Sequence, residues 1–339
     1  MEYRPLGSTG TAVSTLCLGA MTFGKESDEK LSHAQLDRFV ERGGNFIDTA
    51  DVYSQGISEE IIGRWLAARP GVRGQIVLAT KGRFPMGGGP NDHGLSRTHL
   101  TRALEASLRR LGVEAIDLYQ AHAWDPITPI EETLRFYDDA VRDGKIRYAG
   151  VSNFLGWQLQ KAATLTELRG LTPIVTLQPQ YNLITRDIEF ELVDVCGNEG
   201  IGILPWSPLA GGWLTGKYRR DEVPSGPSRL GEEPERGMEA YTPRNAQERT
   251  WRIVDAVRRA AEDRGVSMAQ VALAWVADRP AVTSVILGAR TLEQLDDNLG
   301  AAGLHLSERE TALLDEASAP AVADYPYGGP GVAQRSRRF

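Results

Sequence analysis

Eight short apolar runs alternate along this chain with segments of helical periodicity, and this alternation restricts the possible fold more than any other feature. Units in which a strand is followed by a helix build parallel sheets. The apolar runs lie at residues 16–19, 46–48, 76–80, 116–121, 146–151, 174–177, 201–204 and 283–287. Eight units fit a closed (β/α)8 TIM barrel better than an open sheet, and right-handed crossovers then put all strand carboxyl ends on one face.

Several additions to the plain barrel are predicted. Residues 3–6 and 12–16 indicate an N-terminal β-hairpin. Residues 218–245 are rich in Pro, Gly, Glu and Arg, which predicts a long loop. Ser307 and Glu310 have the spacing of a capping box and predict an extra C-terminal helix, whereas residues 325–330 are expected to be irregular. No linker divides the sequence, so residues 1–339 are expected to form a single domain.

Composition excludes several classes of protein. The net charge of −7 argues against a general nucleic-acid binder. No apolar run is long enough to cross a membrane and no secretory signal is visible, so the cytoplasm is the expected compartment. Cys17 and Cys196 are expected to be core residues instead of a disulfide pair. No Cys/His cluster has metal-binding spacing, so no metal is expected.

Four polar residues lie at or just beyond the ends of three successive strands. Asp48 ends the second run, Lys81 and His122 follow the third and fourth, and Tyr53 comes five residues after Asp48. Parallel strands bring such residues to one face, where barrel proteins carry out their chemistry. A nearby ammonium lowers the pKa of a phenol, so Lys81, held by Asp48, is predicted to acidify Tyr53 as a proton donor. Taken singly, Asp48 and Lys81 could form an ordinary ion pair, and Tyr53 and His122 could be packing residues. Their occurrence together at successive strand ends favours catalysis.

Several strings of residues in the chain resemble the aldo-keto reductase superfamily. They are RPLG at 4–7, the four polar residues, GVSNF at 150–154, LQPQYN at 177–182, WSPL at 206–209 and GAR at 288–290. The resemblance covers almost the whole chain. It implies reversible reduction of an aldehyde or ketone to an alcohol by a nicotinamide cofactor. Tyr53 is then the general acid, assisted by Lys81 and Asp48, and His122 orients the carbonyl oxygen.

The resemblance also implies which residues hold the cofactor. No G-x-G-x-x-G fingerprint follows the first strand, so the phosphates are expected at the loops after strands seven and eight. Ser152, Asn153 and Gln178 are the implied partners of the nicotinamide carboxamide, and Trp206 is expected to stack on the ring. The other expected contacts are Met21, Thr22, Asp48, Ser207, Pro208, Leu209, Gly211, Lys217, Gly288, Ala289, Arg290, Gln294, Asp297 and Asn298.

Arg290 and the first amides of the last barrel helix form a predicted site for a 2′-phosphate, which favours NADP(H) over NAD(H). Gln294 and Asn298 are expected to reach the adenosine, and Asp297 to accept from the adenine amine. The alternative is a surface arginine beside a helix start. The aromatic residues predicted to line an apolar substrate pocket are Phe84, Trp124 and Trp213, and the alternative for them is packing of loops against the barrel.

Two other functions remain open. The strings WSPL at 206–209 and GKY at 216–218 also resemble potassium-channel β-subunits, which are cofactor-sensing binding modules. His122 weighs against that function because those subunits tend to lack it. The second alternative is a sugar-nucleotide ketoreductase of a biosynthetic pathway, which uses the same barrel. A small carbonyl compound is the expected partner, without nucleic acid or membrane, and the sequence leaves the oligomeric state open.

Overall fold

The computed structural model describes residues 1–335, so the last four residues of the predicted 1–339 domain lie outside the described part. The chain opens with an antiparallel hairpin of β1 (Tyr3–Pro5) and β2 (Ala12–Ser14), as predicted. Leu6 and Val13 from this hairpin have no exposed surface. They pack with Cys17 and Phe46 inside the barrel, so the hairpin closes the barrel end opposite the strand carboxyl ends.

Eight parallel strands follow and form the predicted barrel. They are β3 (Leu16–Gly19), β4 (Phe46–Asp48), β5 (Val77–Gly82), β6 (Ile116–Ala121), β7 (Ile146–Ser152), β8 (Ile174–Gln178), β9 (Gly202–Ile203) and β10 (Val285–Leu287). Consecutive strands are neighbours from β3 to β9, and β10 pairs with β3. Ile203 donates to the carbonyl oxygen of Ala281 and accepts from the amide of Thr283, so the segment entering β10 closes the sheet against β9.

Helices surround the sheet because their apolar residues recur at helical spacing and face the strands. On the helix before β6, for example, Leu100, Leu104, Leu108 and Leu111 are all buried. The longer helices are α1 (Glu29–Glu41), α2 (Ile57–Ala67), α3 (Arg97–Leu111), α4 (Ile130–Arg142), α5 (Gly156–Arg169), α6 (Leu192–Glu199), α9 (Glu248–Arg264), α10 (Met268–Ala277), α11 (Leu292–Leu299) and α12 (Glu308–Ser318). The short ones are α7 (Arg229–Glu232), α8 (Tyr241–Asn245) and α13 (Gly329–Arg335).

The predicted loop at 218–245 is partly helical, which corrects the prediction. It contains α7, α8 and a 3₁₀ turn at Gly237–Glu239. Leu230 and Tyr241 are buried, so apolar side chains fix the segment against the barrel. Because these side chains are few and irregularly spaced, the sequence showed no helical period there.

Three further features concern helix boundaries. Residues 188–196 form the end of a 3₁₀ turn and α6, which the non-helical backbone of Glu191 separates (φ −144°, ψ −47°). The tail predicted to be irregular is partly helical, because Gly329 and Pro330 open α13, and proline is tolerated in a first helical turn. The capping box of Ser307 and Glu310 begins α12 as predicted.

Both cysteines are unpaired and buried, as predicted. Within residues 1–335, no helix is both long and apolar enough to cross a membrane. The same residues contain no group of three or more His, Cys, Asp or Glu side chains that could hold a metal ion.

Candidate active site

The barrel brings the four predicted polar residues together at its carboxyl-terminal face. Asp48 is the last residue of β4, and Lys81 lies near the end of β5. His122 follows β6 directly, and Tyr53 begins a 3₁₀ turn in the loop after β4. The rings of Tyr53 and His122 lie 5.7 Å apart in an edge-to-face arrangement.

Lys81 is fully buried and binds three oxygen atoms. Its Nζ lies 2.5 Å from Asp48 Oδ2 and 2.7 Å from the carbonyl oxygen of Thr49, and it donates to the hydroxyl of Tyr53 at 3.2 Å. Burial alone lowers the pKa of this lysine, but Asp48 and Tyr53 raise it above its usual value. The ammonium is therefore kept charged beside the phenol.

The pKa of Tyr53 is raised overall, because burial of the phenol opposes its ionisation. Lys81 lowers this pKa through charge and hydrogen bonding, which is the predicted direction for its own effect. Asp48 and Asp51 act in the opposite direction. The net upward shift of the Tyr53 pKa differs from the prediction because burial and the Asp51 carboxylate outweigh the ammonium.

His122 is a neutral imidazole in this environment. Burial lowers its pKa well below the usual value, and the nearby cations Lys81 and Arg83 lower it further. Its Nδ1 is buried without a hydrogen-bond partner in the described part of the chain. Phe84 packs edge-to-face against the imidazole, with ring centroids 4.7 Å apart. A neutral imidazole has one N–H that can donate to a carbonyl oxygen.

A network of amide side chains joins the ends of β6, β7 and β8 to Asp48. The second carboxylate oxygen of Asp48 accepts from Gln178 at 2.9 Å and from Gln120 at 3.2 Å. Asn153 donates to the carbonyl oxygen of His122 at 3.0 Å and accepts from Trp206 Nε1 at 3.1 Å. Ser152 also joins this network, by donating to the backbone oxygen of Gln178 at 2.7 Å. The residues predicted to bind the carboxamide therefore meet around the predicted catalytic residues.

Unusual backbone conformations concentrate on the same face. Ser54 and Gln55, directly after Tyr53, have φ values of 48° and 55°. Asn153, Ser207 and Ala210 have φ values of 55°, 54° and 49°. Left-handed conformations cost free energy for residues other than glycine and cluster where function requires them. Their concentration here supports a binding face at the carboxyl ends of the strands.

Three cations lie together where the phosphates of a cofactor are expected. The ammonium of Lys217 folds back over Gly212, although the residue as a whole is exposed. Burial lowers the pKa of Lys217, and Arg290 and Arg229 lower it further. The Nε of Arg229 is buried and lacks a partner within residues 1–335. A cluster of repelling cations suits an anionic group, so these side chains fit a phosphorylated cofactor.

Acidic side chains pair with Arg290, the residue predicted to bind a 2′-phosphate. Arg290 donates two parallel hydrogen bonds to Glu232, at 2.9 and 2.8 Å, and lies 3.5 Å from Glu26. Glu232 lies on α7, so the 218–245 segment reaches the predicted 2′-phosphate site. Glu26 also binds Arg236 of the same segment at 2.8 Å. The guanidinium of Arg290 is therefore paired with carboxylates in this structure, where a 2′-phosphate was predicted to bind.

The start of α11 only partly matches the predicted adenosine site. Gln294 accepts from the backbone amide of Arg290 at 2.9 Å, and Asn298 donates to the carbonyl oxygen of Gly288 at 3.3 Å. Asp297 accepts from Gln270 of α10 at 3.0 Å. That contact places the Asp297 carboxylate between two helices, which disfavours the predicted contact with an adenine amine.

The remaining predicted cofactor residues line two loops. Thr22 follows β3, and its hydroxyl is buried without a partner among residues 1–335, whereas its neighbour Met21 is exposed. Ser207 lies 3.4 Å from the carboxylate of Glu239, which covers this loop from the 218–245 segment. The other predicted contacts lie in the turns after β9 and β10 and are Pro208, Leu209, Gly211 and Ala289.

Two of the three predicted substrate-pocket aromatics lie near the polar cluster. Phe84 touches His122, and Trp124 packs edge-to-face against Phe154 and Trp157. Trp213 lies elsewhere, because only 1% of it is exposed and its indole stacks on Tyr241 at 5.5 Å. Its Nε1 also donates to the backbone oxygen of Glu239. This corrects its predicted role, since Trp213 packs the 218–245 segment against the barrel.

Three further residues of the site were not predicted from the sequence. Gln120 and Asp51 are polar residues within buried apolar segments, which is a signal that the sequence alone contains. Arg229 gave no such signal, because it lies in a segment without periodicity. A barrel of eight parallel strands, in which β4 to β8 end in one polar cluster, has the architecture of a barrel enzyme.

Comparisons with known proteins identify the class more closely. A model of the aldo/keto reductase family matches residues 15–319. The uncharacterized oxidoreductase YrpG of Bacillus subtilis is 38% identical over 334 residues, which cover 93% of this chain and 95% of that protein. A probable voltage-gated potassium channel subunit beta of Arabidopsis thaliana is 38% identical over 303 residues, or 89% and 91% of the two chains. Versiconal hemiacetal acetate reductase of Aspergillus parasiticus is 33% identical over 343 residues, or 94% and 98%.

The chain therefore belongs to the aldo/keto reductase family and is an oxidoreductase. The family match agrees with the resemblance that the sequence strings indicated. The channel subunits that the sequence strings resembled are also represented among these relatives.

Proposed function

We propose that this protein reduces an aldehyde or ketone to an alcohol with NADPH, in a reversible reaction. The observation that carries the proposal is the contact of 3.2 Å between Lys81 Nζ and the Tyr53 hydroxyl, with Asp48 bound to the same ammonium. The ammonium of Lys81 stabilises the phenolate of Tyr53 against the opposing effect of burial, which favours Tyr53 as a general acid. The neutral His122 lies with its ring 5.7 Å from that of Tyr53 and supplies a hydrogen-bond donor.

In this proposal each residue has one task. A reduced nicotinamide, when bound, supplies a hydride to the carbonyl carbon. His122 donates a hydrogen bond to the carbonyl oxygen and orients it, and Tyr53 transfers its phenolic proton to the forming alkoxide. Lys81 stabilises the phenolate that remains, and Asp48 keeps Lys81 charged and in place. The alcohol-oxidising direction reverses these proton transfers.

The cluster of Lys217, Arg229 and Arg290 supports NADP(H) in preference to NAD(H). An arginine that makes two parallel hydrogen bonds to a carboxylate, as Arg290 does with Glu232, presents the same geometry to a phosphate. The pyrophosphate is assigned to the turn after β9 with Lys217, and the 2′-phosphate to Arg290. Ser152, Asn153, Gln178 and Trp206 hold the nicotinamide in this proposal.

A second function is favoured by the similarity to channel β-subunits. In that case the barrel binds the cofactor and reports its redox state to a partner. The experiment that separates the two is NADPH consumption by the purified protein against a panel of aldehydes, ketones and keto-sugars. Turnover supports the reductase and names the substrate class. NADPH binding without turnover of any compound in the panel supports the binding module, and absence of nicotinamide binding contradicts both.

A further inference from the structure

A second buried carboxylate lies behind the proposed catalytic residues. Asp51 is in the same loop as Tyr53, and its backbone N–H donates to the carbonyl oxygen of Lys81 at 3.1 Å. The residue has no exposed surface. Within residues 1–335, neither of its carboxylate oxygens has a partner with hydrogen-bond geometry, whereas Asp48 accepts from three side chains. A buried carboxylate without partners is costly and calls for a functional explanation.

Charged groups from the neighbouring elements surround Asp51. Glu59 of α2 is fully buried and paired with Arg110 of α3 at 2.7 Å. From β6, the hydroxyl of Tyr119 is buried and likewise unpartnered in the described part of the chain. Both groups lie next to Gly82 at the end of β5, because a β-carbon there would lie 2.3 Å from the Tyr119 hydroxyl and 3.5 Å from Asp51 Oδ2. The carboxylate therefore lies between one anion, one cation and a phenol.

Burial and the charge of Glu59 oppose ionisation of Asp51 and raise its pKa from 3.8 to about 7. The groups that favour ionisation more weakly are Arg110, the backbone N–H of Val52 and Lys81. Asp51 is also one of the groups that raise the pKa of Tyr53. A change of charge on Asp51 near neutral pH is therefore felt by the proposed proton donor.

A cavity on the helix side of the barrel lies next to Asp51, although Asp51 itself has no exposed surface. It has a volume of about 430 Å³ and lies between α3 and the loop that follows β5, with Asp51 in its wall. Thr101, Arg102 and Arg109 at its rim are exposed, so the cavity reaches the surface. The other titratable or charged side chains that line it are Asp92, His99, Arg102, Glu105, Arg109 and Arg110.

We propose that Asp51 is a positioning residue for the carbonyl reduction, which exchanges its proton through the cavity beside α3 and controls by its charge how readily Tyr53 releases a proton. The kinetic part of this inference rests on the proposed reductase function. When Asp51 carries a proton, Tyr53 is the stronger acid. When that proton passes to solvent, the remaining carboxylate makes Tyr53 a weaker acid, and reduction slows.

The first test needs neither cofactor nor substrate. Tyrosines are replaced by 3-fluorotyrosine, the fluorine resonance of Tyr53 is assigned with Tyr53→Phe, and its titration is followed with and without Asp51→Asn. The expected result is a lower midpoint for Tyr53 in Asp51→Asn. Infrared difference spectra should also show a protonated carboxyl band that disappears near pH 7 in the wild type and is missing from Asp51→Asn. An unchanged Tyr53 midpoint overturns the proposal.

The second test measures single-turnover reduction between pH 5.5 and about 9, so that cofactor release does not mask proton transfer. The wild-type rate should fall with an inflection near the infrared midpoint. Asp51→Asn should lose this inflection and be about threefold faster than the wild type at the alkaline end. Asp138→Asn is the matched control, since Asp138 is a buried carboxylate of α4 that accepts from Thr172, and it should leave both titrations unchanged.

Glu59→Gln keeps the test decisive if Asp51→Asn does not fold. This variant retains Asp51 and removes the anion that opposes its ionisation. The carboxyl midpoint and the kinetic inflection should move together to lower pH, and an inflection that stays in place contradicts the proposal. If no carbonyl is reduced but the Tyr53 midpoint falls in Asp51→Asn, the control of Tyr53 by Asp51 stands and the reductase function fails.

Discussion

The ammonium of Lys81 lies 3.2 Å from the hydroxyl oxygen of Tyr53, across two strand ends that the barrel holds side by side. This contact connects a fully buried cation with a half-buried phenol. The ammonium remains there because Asp48 neutralises it at 2.5 Å. The three residues therefore act as one electrostatic unit, and a change in one of them alters the other two.

Lys81→Met should destabilise the fold, because it leaves the buried carboxylate of Asp48 without its cation. Loss of one partner of a buried ion pair costs about 3–5 kcal/mol in the free energy of unfolding. The double variant Asp48→Asn/Lys81→Met should recover part of this loss in urea unfolding experiments. Arg97→Met, which breaks an exposed ion pair with Asp139, is the control and should cost less than about 1 kcal/mol. Additive losses in the double variant would contradict the coupling.

Arg290→Gln should weaken NADPH binding by roughly 10- to 100-fold, since a hydrogen-bonded charge pair contributes about 1.5–3 kcal/mol. NADH binding should change little, because NADH has no 2′-phosphate. Fluorescence quenching titrations measure both dissociation constants. Glu232→Gln should strengthen NADPH binding, because it frees Arg290 from its partner in this structure. Equal losses for both cofactors in Arg290→Gln would show that Arg290 does not contact the 2′-phosphate.

Stability should depend on pH through Asp51. A carboxyl group whose folded pKa is raised contributes stability that is fully present below its unfolded value and is lost as the pH rises through the folded value. For Asp51 this window extends from 3.8 to about 7. A shift of that size corresponds to at most about 4 kcal/mol. Unfolding free energies of the wild type should therefore fall relative to Asp51→Asn as the pH rises from 3.8 to about 7, and a constant difference would contradict the buried titration.

Gly82→Ala should destabilise the junction of β5 and β6. A β-carbon at this position would lie 2.3 Å from the hydroxyl of the buried Tyr119, which has no room to move. Overpacking of this kind costs about 1–3 kcal/mol, measured as a lower Tm and a lower free energy of unfolding. Gly10→Ala is the matched control, because no atom lies within 4 Å of its added β-carbon. Equal stability of the two variants would be inconsistent with the described packing.

The barrel and the four polar residues were readable from the sequence because both depend on local patterns. Each strand is a short apolar run, and the positions of Asp48, Lys81 and His122 follow from where those runs end. The 218–245 segment was less readable, because few buried side chains order it and no period connects them. Trp213 was misplaced for the same reason, since its stacking partner Tyr241 lies 28 residues further along the chain.

The electrostatic character of the site was also beyond the sequence. The net pKa of Tyr53 depends on burial and on Asp51, both of which require three-dimensional neighbours. Likewise, the pairing of Arg290 with Glu232 joins residues 58 positions apart in the chain. Local patterns indicate which side chains lie at a strand end, whereas tertiary packing determines their pKa values and ion-pair partners.

The most direct test of the account is the single-turnover oxidation of NADPH by wild type and Tyr53→Phe with a carbonyl compound that the wild type reduces. Removal of a general acid slows its reaction by about 10²- to 10⁴-fold. The account predicts a loss in this range for Tyr53→Phe, with NADPH binding retained in fluorescence quenching. Undiminished turnover by Tyr53→Phe would contradict the assignment of Tyr53 as the proton donor.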